Sequence, residues 1–224
     1  MIGVFARRPD WGECRRTTPI GSDAMDLRSC LSYVAAVTLA CLAVVLTPTP
    51  LHASADGESF IQADKPIAPP DGFAGLCDRY RWACARNGGG NGASSDDVKL
   101  AGKINRQVNR STHSISDRRQ YGREEVWALP TARGGDCEDF VLLKKRELIR
   151  HGVAPERLLI ATVLDRKRGS HAVLVLRTDQ GDMVLDNVRN QILPWWRTGY
   201  SFIRIQNPSR PTQWSAALVG GVFR

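Results

Sequence analysis

Apolar residues along this chain follow a helical period first and a strand pattern later. Val98, Ala101, Ile104 and Val108 recur at helical spacing, with Ser94 or Ser95 in position to cap the helix and Asp96 and Asp97 suited to its first turn. Residues 140–149, FVLLKKRELI, predict a second helix that packs one apolar side and stops near Gly152. Beyond it the apolar runs are short and rich in β-branched or aromatic residues. Segments 158–164, 171–176, 183–186 and 200–205 read as strands, joined by polar turns at 165–170, 178–182 and 187–191. Helices first and hairpin-linked strands second predict an α+β domain with an antiparallel sheet. Between the two helices, residues 111–123 are polar and turn-like, and Pro130 breaks the chain ahead of Gly134 and Gly135.

The N-terminal portion has a different pattern. Arg28 lies in a short polar head, residues 30–46 form an apolar run, and Ala53-Ser54-Ala55 makes an A-x-A pattern before Asp56. These are the parts of a cleaved secretory signal, and Pro48 and Pro50 follow the run too promptly for a membrane span. Met25 would make a natural start, with residues 1–24 an upstream extension or a long n-region. The expected organisation is an extension and signal peptide over 1–55, a Pro-rich extended arm over 56–75 that adds little chemistry, and a globular domain over 76–224. The expected location is periplasmic or secreted, after cleavage behind Ala55.

The 224 residues, 42% hydrophobic and 24% charged, suffice for one domain with a real core. From Asp56 onward the chain is basic, with 26 Lys+Arg against 19 Asp+Glu. The arginines are scattered and no stacking-aromatic motif accompanies them, so the charge reads as a soluble surface and no nucleic-acid partner is implied. Removing the leader takes Cys14, Cys30 and Cys41 with it. Cys77 and Cys84, enclosed in LCDRYRWAC, can bridge locally in an oxidising compartment. Cys137 is then the leftover thiol, and a free thiol kept in an exported protein points to function.

Cys137 lies in GGDCEDF, at the start of the second helix. Unpaired N–H groups and the positive end of the helix dipole favour a thiolate there. Asp136, Glu138 and Asp139 oppose it, and so must either cap the helix or hold a cation. Downstream, His171 opens one apolar run and Asp186 closes another. Cysteine, histidine and aspartate thus follow in the order of a nucleophile, a base and an acid that fixes the base's tautomer. Attack on an amide would also need oxyanion donors. The Cys137 N–H is one, and Trp127 Nε1 or Asn105 are candidates for the second. The same residues leave three activities open: a protease, a transglutaminase or amidase that resolves the acyl-enzyme with an amine, and a non-catalytic envelope-binding module.

Four segments taken together, YGREEVWALP, GGDCEDFVLLKKREL, GSHAVLVLRT and GDMVLDN, resemble the bacterial transglutaminase-like cysteine proteinase family over roughly residues 73–214. The resemblance implies a papain/transglutaminase-like fold, with the nucleophile helix packed on an antiparallel sheet. It also implies a Cys137, His171, Asp186 triad and a protein substrate, such as a cell-surface or envelope protein. In its LapG-type periplasmic branch, acids beside the nucleophile hold calcium, and those acids match Asp136 and Glu138. Loop carbonyls near Gly134, with Asp139 or Asn105, would complete the oxygen shell. That branch further implies cleavage of large surface adhesins and a regulatory membrane partner. Between Trp127 and Gly134, however, this chain reads ALPTAR, without the glutamate expected after the proline.

Overall fold

The computed structural model describes residues 59–63, 65–88 and 93–223. The leader and its cleavage site lie outside them. Among the described residues, seven strands form one antiparallel sheet in the order β1-β7-β6-β2-β3-β4-β5. They are β1 (Lys65–Ile67), β2 (Leu158–Leu164), β3 (Ser170–Arg177), β4 (Asp182–Leu185), β5 (Leu193–Pro194), β6 (Ser201–Asn207) and β7 (Arg210–Val219). The helices are α1 (Leu76–Arg79), α2 (Ser95–Ser111), α3 (Asp117–Tyr121) and α4 (Cys137–Arg150).

Both long helices form where the apolar spacing places them. Ser94 caps α2 through a capping box with Asp97, and α2 buries Ala101, Ile104 and Val108. Helix α4 buries Phe140, Val141, Leu142 and Leu148 and ends at His151, just before Gly152 with its positive φ of 96°. The central strands alternate between two cores. Leu158, Ile160, Ala172, Leu174 and Leu176 join α2 and α4 in one cluster, while Leu159, Ala161, Val163, Val173 and Val175 join Trp195, Phe202 and Ile205 in the other. Burial on both faces explains why β2 and β3 read as unbroken apolar runs instead of alternating ones.

Three parts of the sheet and two short helices, α1 and α3, were not legible in the sequence. Strand β7 is the longest, yet it carries Pro211, Gln213 and Ser215 and few β-branched residues. Its proline sits beyond the residues that pair with β1, so the missing N–H breaks no ladder there. Strand β5 contributes only two residues. Strand β1 belongs to the Pro-rich arm, which therefore adds an edge to the sheet instead of trailing from it. The arm is fastened further by Arg204, whose Nη1 donates to the carbonyls of Ala68 and Pro69 at 2.9 and 3.2 Å. At Gly72, φ is 77° and a Cβ would lie 2.3 Å from the Glu125 carbonyl, so only glycine permits that approach. Helix α3 falls in the polar segment between α2 and the nucleophile loop. The local bridge expected between Cys77 and Cys84 is present.

Two adjacent lysines of α4 are buried, Lys144 at 0% exposure and Lys145 at 1%. Lys145 Nζ donates to Gln206 Oε1 at 3.0 Å, whereas Lys144 Nζ has no hydrogen-bond partner. Burial lowers Lys144 from its ordinary 10.5 to about 7, with the nearby charge of Asp186 acting in the opposite direction. The unfolded chain therefore binds this proton more tightly than the folded one, and stability is lost as pH falls from about 10.5 towards 7. Lys144→Met should be more stable than wild type by ~1–3 kcal/mol at pH 7. Denaturant unfolding at pH 7 and again near pH 10 should show that advantage shrinking at the higher pH.

Candidate active site

The turn that delivers Cys137 depends on its two glycines. Gly134 adopts φ 119°, and a Cβ there would lie 2.1 Å from the His113 carbonyl. A Cβ on Gly135 would meet Asp139 Oδ2 at 2.5 Å. The segment is then stitched to residues 113–115, with the Gly135 N–H on His113 O and the Ile115 N–H on Gly135 O, each at 3.0 Å. Cys137 enters as the first residue of α4, the position expected for it.

Cys137 and His171 both line a cleft of about 350 Å³, together with Pro70, Asp71, Glu125, Trp127, Asp136, Glu138, Thr162, Ser170, Ala172 and Arg204. His171 Nε2 lies 2.9 Å from Asp186 Oδ1. That bond leaves Nδ1 as the ring nitrogen available to a reacting group. Asp186 is buried, and its Oδ1 also accepts the Val188 N–H at 3.1 Å, while Oδ2 accepts the Tyr200 hydroxyl at 2.5 Å. Burial alone would raise this carboxyl, but the bonds from His171 and Tyr200 outweigh it and hold Asp186 below its ordinary range. The neighbouring Asn187 is a separate residue with no contact to His171 among the described hydrogen bonds, so Asp186 is the acid that meets the imidazole.

The acids beside the thiol do not behave as helix caps. Asp136 occupies the N-cap position of α4 but makes no side-chain capping bond. Its Oδ2 accepts the Asp117 N–H at 3.3 Å, and its Oδ1 is buried without a partner. Glu138 is 6% exposed and accepts the Cys137 thiol on Oε2 at 3.1 Å. Ligand atoms from Asp117, Asp136 and Glu138 lie within 4.8 Å of one another. Asp117 Oδ2 accepts the Val126 N–H, and Asp117 Oδ1 is a second buried oxygen with no partner. Burial, with Asp136 adding repulsion, lifts Glu138 to about 8. Burial also lifts Asp139 to about 7 and raises Asp136. The thiol is pushed far up by its own burial and then by the charge and hydrogen bond of Glu138, against a smaller opposing effect of the Ala172 N–H. Without a counter-charge, Cys137 is held in its protonated, weakly nucleophilic form.

Several expected roles move. Asn105 Nδ2 donates to the carbonyls of Arg189 and Asn190 at 2.8 and 3.1 Å, so its amide N–H groups hold the loop after Asp186 and are not free to serve as the oxyanion donor. Asn109 secures the same loop through the Asp186 carbonyl at 2.9 Å. Asp139 is 0% exposed and its Oδ1 accepts the Ala128 N–H at 2.9 Å, which ties α4 to the Trp127 segment. Asp117, from α3, completes the acid cluster in its place. No spacing rule links Asp117 to residues 136–138, because they are brought together by tertiary bonds, those of residues 113–115 to Gly135 and that of Asp117 to Asp136. Trp127 does reach the cleft, 2% exposed, with an indole N–H that has no hydrogen-bonded partner. The same indole is near enough to Glu125 to draw that carboxyl's pKa down, against a larger rise from burial. The arm expected to be inert supplies Pro70 and Asp71 to the cleft wall.

A family model described as bacterial transglutaminase-like cysteine proteinase matches residues 63–220. Among solved structures, the chain is similar to calcium-bound Legionella pneumophila LapG. Sequence identity is 24% and the TM-score 0.47, over 55% of this chain and 71% of that one. A second LapG structure gives 25% identity and a TM-score of 0.43, over 49% of this chain and 65% of that one. An EGTA-treated form gives 24% and 0.42, over 49% and 63%. No curated protein matches the chain.

The raised carboxyls set a sign for pH dependence. Glu138 and Asp139 titrate at about 8 and about 7 when folded, above their ordinary 4.5 and 3.8. The stability associated with their protonated forms is complete below about pH 4 and is lost as pH rises through about 7 to 8. In chelator, thermal melts between pH 4 and 9 should therefore show a marked loss of stability across that window. Added Ca²⁺ should flatten it, and Glu138→Gln should remove much of it even in chelator.

Proposed function

The chain belongs to the bacterial transglutaminase-like cysteine proteinase family, and from that premise we propose an exported cysteine peptidase that cleaves a protein substrate through Cys137, His171 and Asp186. The observation that carries this reading is the 2.9 Å bond between His171 and Asp186, at a cleft shared with the free thiol of α4. His171, oriented through Nε2, takes the Cys137 proton. The thiolate attacks the scissile carbonyl carbon, and negative charge develops on the carbonyl oxygen. The Cys137 N–H at the start of α4 faces that charge, and the Trp127 indole N–H is the second donor. The imidazolium then gives its proton to the departing amine, leaving a thioester. Water, deprotonated by His171, attacks the thioester and releases the acid product and the thiol.

Asp117, Asp136 and Glu138 fit a divalent cation. The donors are all carboxylate oxygens, two of them buried without partners, and no nitrogen or sulfur ligand joins the group. An all-oxygen set of this charge suits Ca²⁺. When bound, the ion supplies positive charge that cancels the repulsion now raising the thiol. An exported location is part of the reading: the Cys77–Cys84 disulfide supports it, and the A-x-A pattern before Asp56 motivates it. The substrate is taken to be an envelope or surface protein because that is what an exported peptidase would meet.

Calcium-loaded protein should be labelled once by a thiol-directed alkylating probe near neutral pH. His171→Ala and Asp186→Asn should slow labelling by ~100-fold or more. Equal rates in all three proteins would overturn the triad. Comparative proteomics of envelope and culture medium, with wild type against Cys137→Ala, should reveal a fragment released only by the intact enzyme. Amine-tagged or cross-linked protein without new N-termini would instead establish acyl transfer to an amine.

A further inference from the structure

Tyr200 is bound to the same catalytic acid and the same imidazole at once. Its hydroxyl donates to Asp186 Oδ2 at 2.5 Å, and its ring meets the His171 ring edge-on, with centroids 5.8 Å apart and planes at 76°. The side chain is 5% exposed, so both contacts are shielded from water. Resting on the triad reading above, the geometry points to Tyr200 as a positioning residue that fixes the plane of the Asp186 carboxylate and, through it, the tautomer and tilt of His171.

The carboxylate has one oxygen for each task. Oδ1 faces His171 Nε2 and the Val188 N–H, and Oδ2 faces the phenol. With both ends held, the carboxylate has no free rotation about its terminal torsion, and the imidazole sees a single acceptor direction. The phenol is itself locked in the donor state. Burial, then the hydrogen bond and charge of Asp186, push its pKa up, and the Arg189 side chain offsets only part of this. An edge-to-face ring contact further restricts the pivot of His171 in a way that a hydroxyl alone would not.

The backbone that presents Tyr200 is equally fixed. Its N–H donates to Thr198 Oγ1 at 3.1 Å, and that hydroxyl donates to the Trp195 carbonyl at 2.7 Å. Gly220, with φ 74°, lets the chain pass so close to the Tyr200 carbonyl that a Cβ there would approach to 2.7 Å. Tyr200 therefore couples the second core cluster, on the sheet face away from α4, to the orientation of the catalytic base.

The decisive comparison is Tyr200→Phe, which keeps the ring and removes only the hydroxyl. In calcium-loaded protein its thiol-alkylation rate at neutral pH should fall about tenfold, the scale of one lost charge-assisted hydrogen bond. Nitrogen-15 NMR of His171 should change from one dominant tautomer, protonated on Nε2, to a mixture of the two. Thr198→Val, which loosens the Tyr200 backbone and leaves the phenol in place, should shift both readouts in the same direction by less, and it replaces Tyr200→Phe should that variant fail to fold. A lowered melting temperature with the wild-type labelling rate and a wild-type His171 tautomer would make Tyr200 a packing residue only and overturn the proposal. His171→Ala labelled at the wild-type rate would instead overturn the triad on which it rests.

Discussion

Repulsion among buried carboxylates at the N-terminal end of α4 is the constraint to which the surrounding structure responds. Asp117, Asp136, Glu138 and Asp139 crowd against a thiol that must lose its proton to act. Burial makes each charge more costly, since water cannot screen it. The protein offsets part of that cost with main-chain donors. Val126 and Ala128 give their N–H groups to Asp117 and Asp139, and Asp117 gives its own to Asp136. Three oxygens nevertheless remain without partners, one each on Asp117, Asp136 and Asp139, which is the arrangement expected of a shell completed from outside the chain.

The other half of the site is built on the opposite principle. Asp186 is as deeply buried as its counterparts on α4, yet its pKa is held down because every direction around it carries a donor. The loop that follows is fastened to α2 by Asn105 and Asn109, so the carboxylate is fixed from its backbone as well as its side chain. The cleft is thus flanked by acids of two kinds: Asp186, hydrogen-bonded through both oxygens and held below its ordinary range, and the acids of the α4 end, raised by burial and keeping oxygens without partners. That contrast is the physical ground for the different roles proposed above for Asp186 and for the acids of the α4 end.

What could be read from the chain follows from which signals are local. The helical spacing of Val98 to Val108 and the apolar runs of β2 and β3 are set by burial along a continuous segment, so fold class and both long helices were legible. The order of Cys137, His171 and Asp186 was legible too, because each sits at the end of a recognisable element. Asp117 was not, since its role arises from a bond across to Asp136, and nothing in the polar run 111–123 marks it. Asn105 was misread for the complementary reason: an asparagine in a helix announces a polar contact but not its partner, which proved to be the Arg189 carbonyl. Strand β7 was not legible because it has few β-branched residues and is held between β1 and β6, and propensity registers only the strand itself.

The cleft draws Pro70 and Asp71 from the arm, Trp127 and Cys137 from the middle of the chain, His171 from β3 and Arg204 from β6. Contacts of such long sequence separation close late, after the loops between them have been ordered. No subset of the chain brings the nucleophile, its base and the walls that seat a peptide into register. Loss of any one of these elements would therefore open the cleft that Cys137 and His171 share.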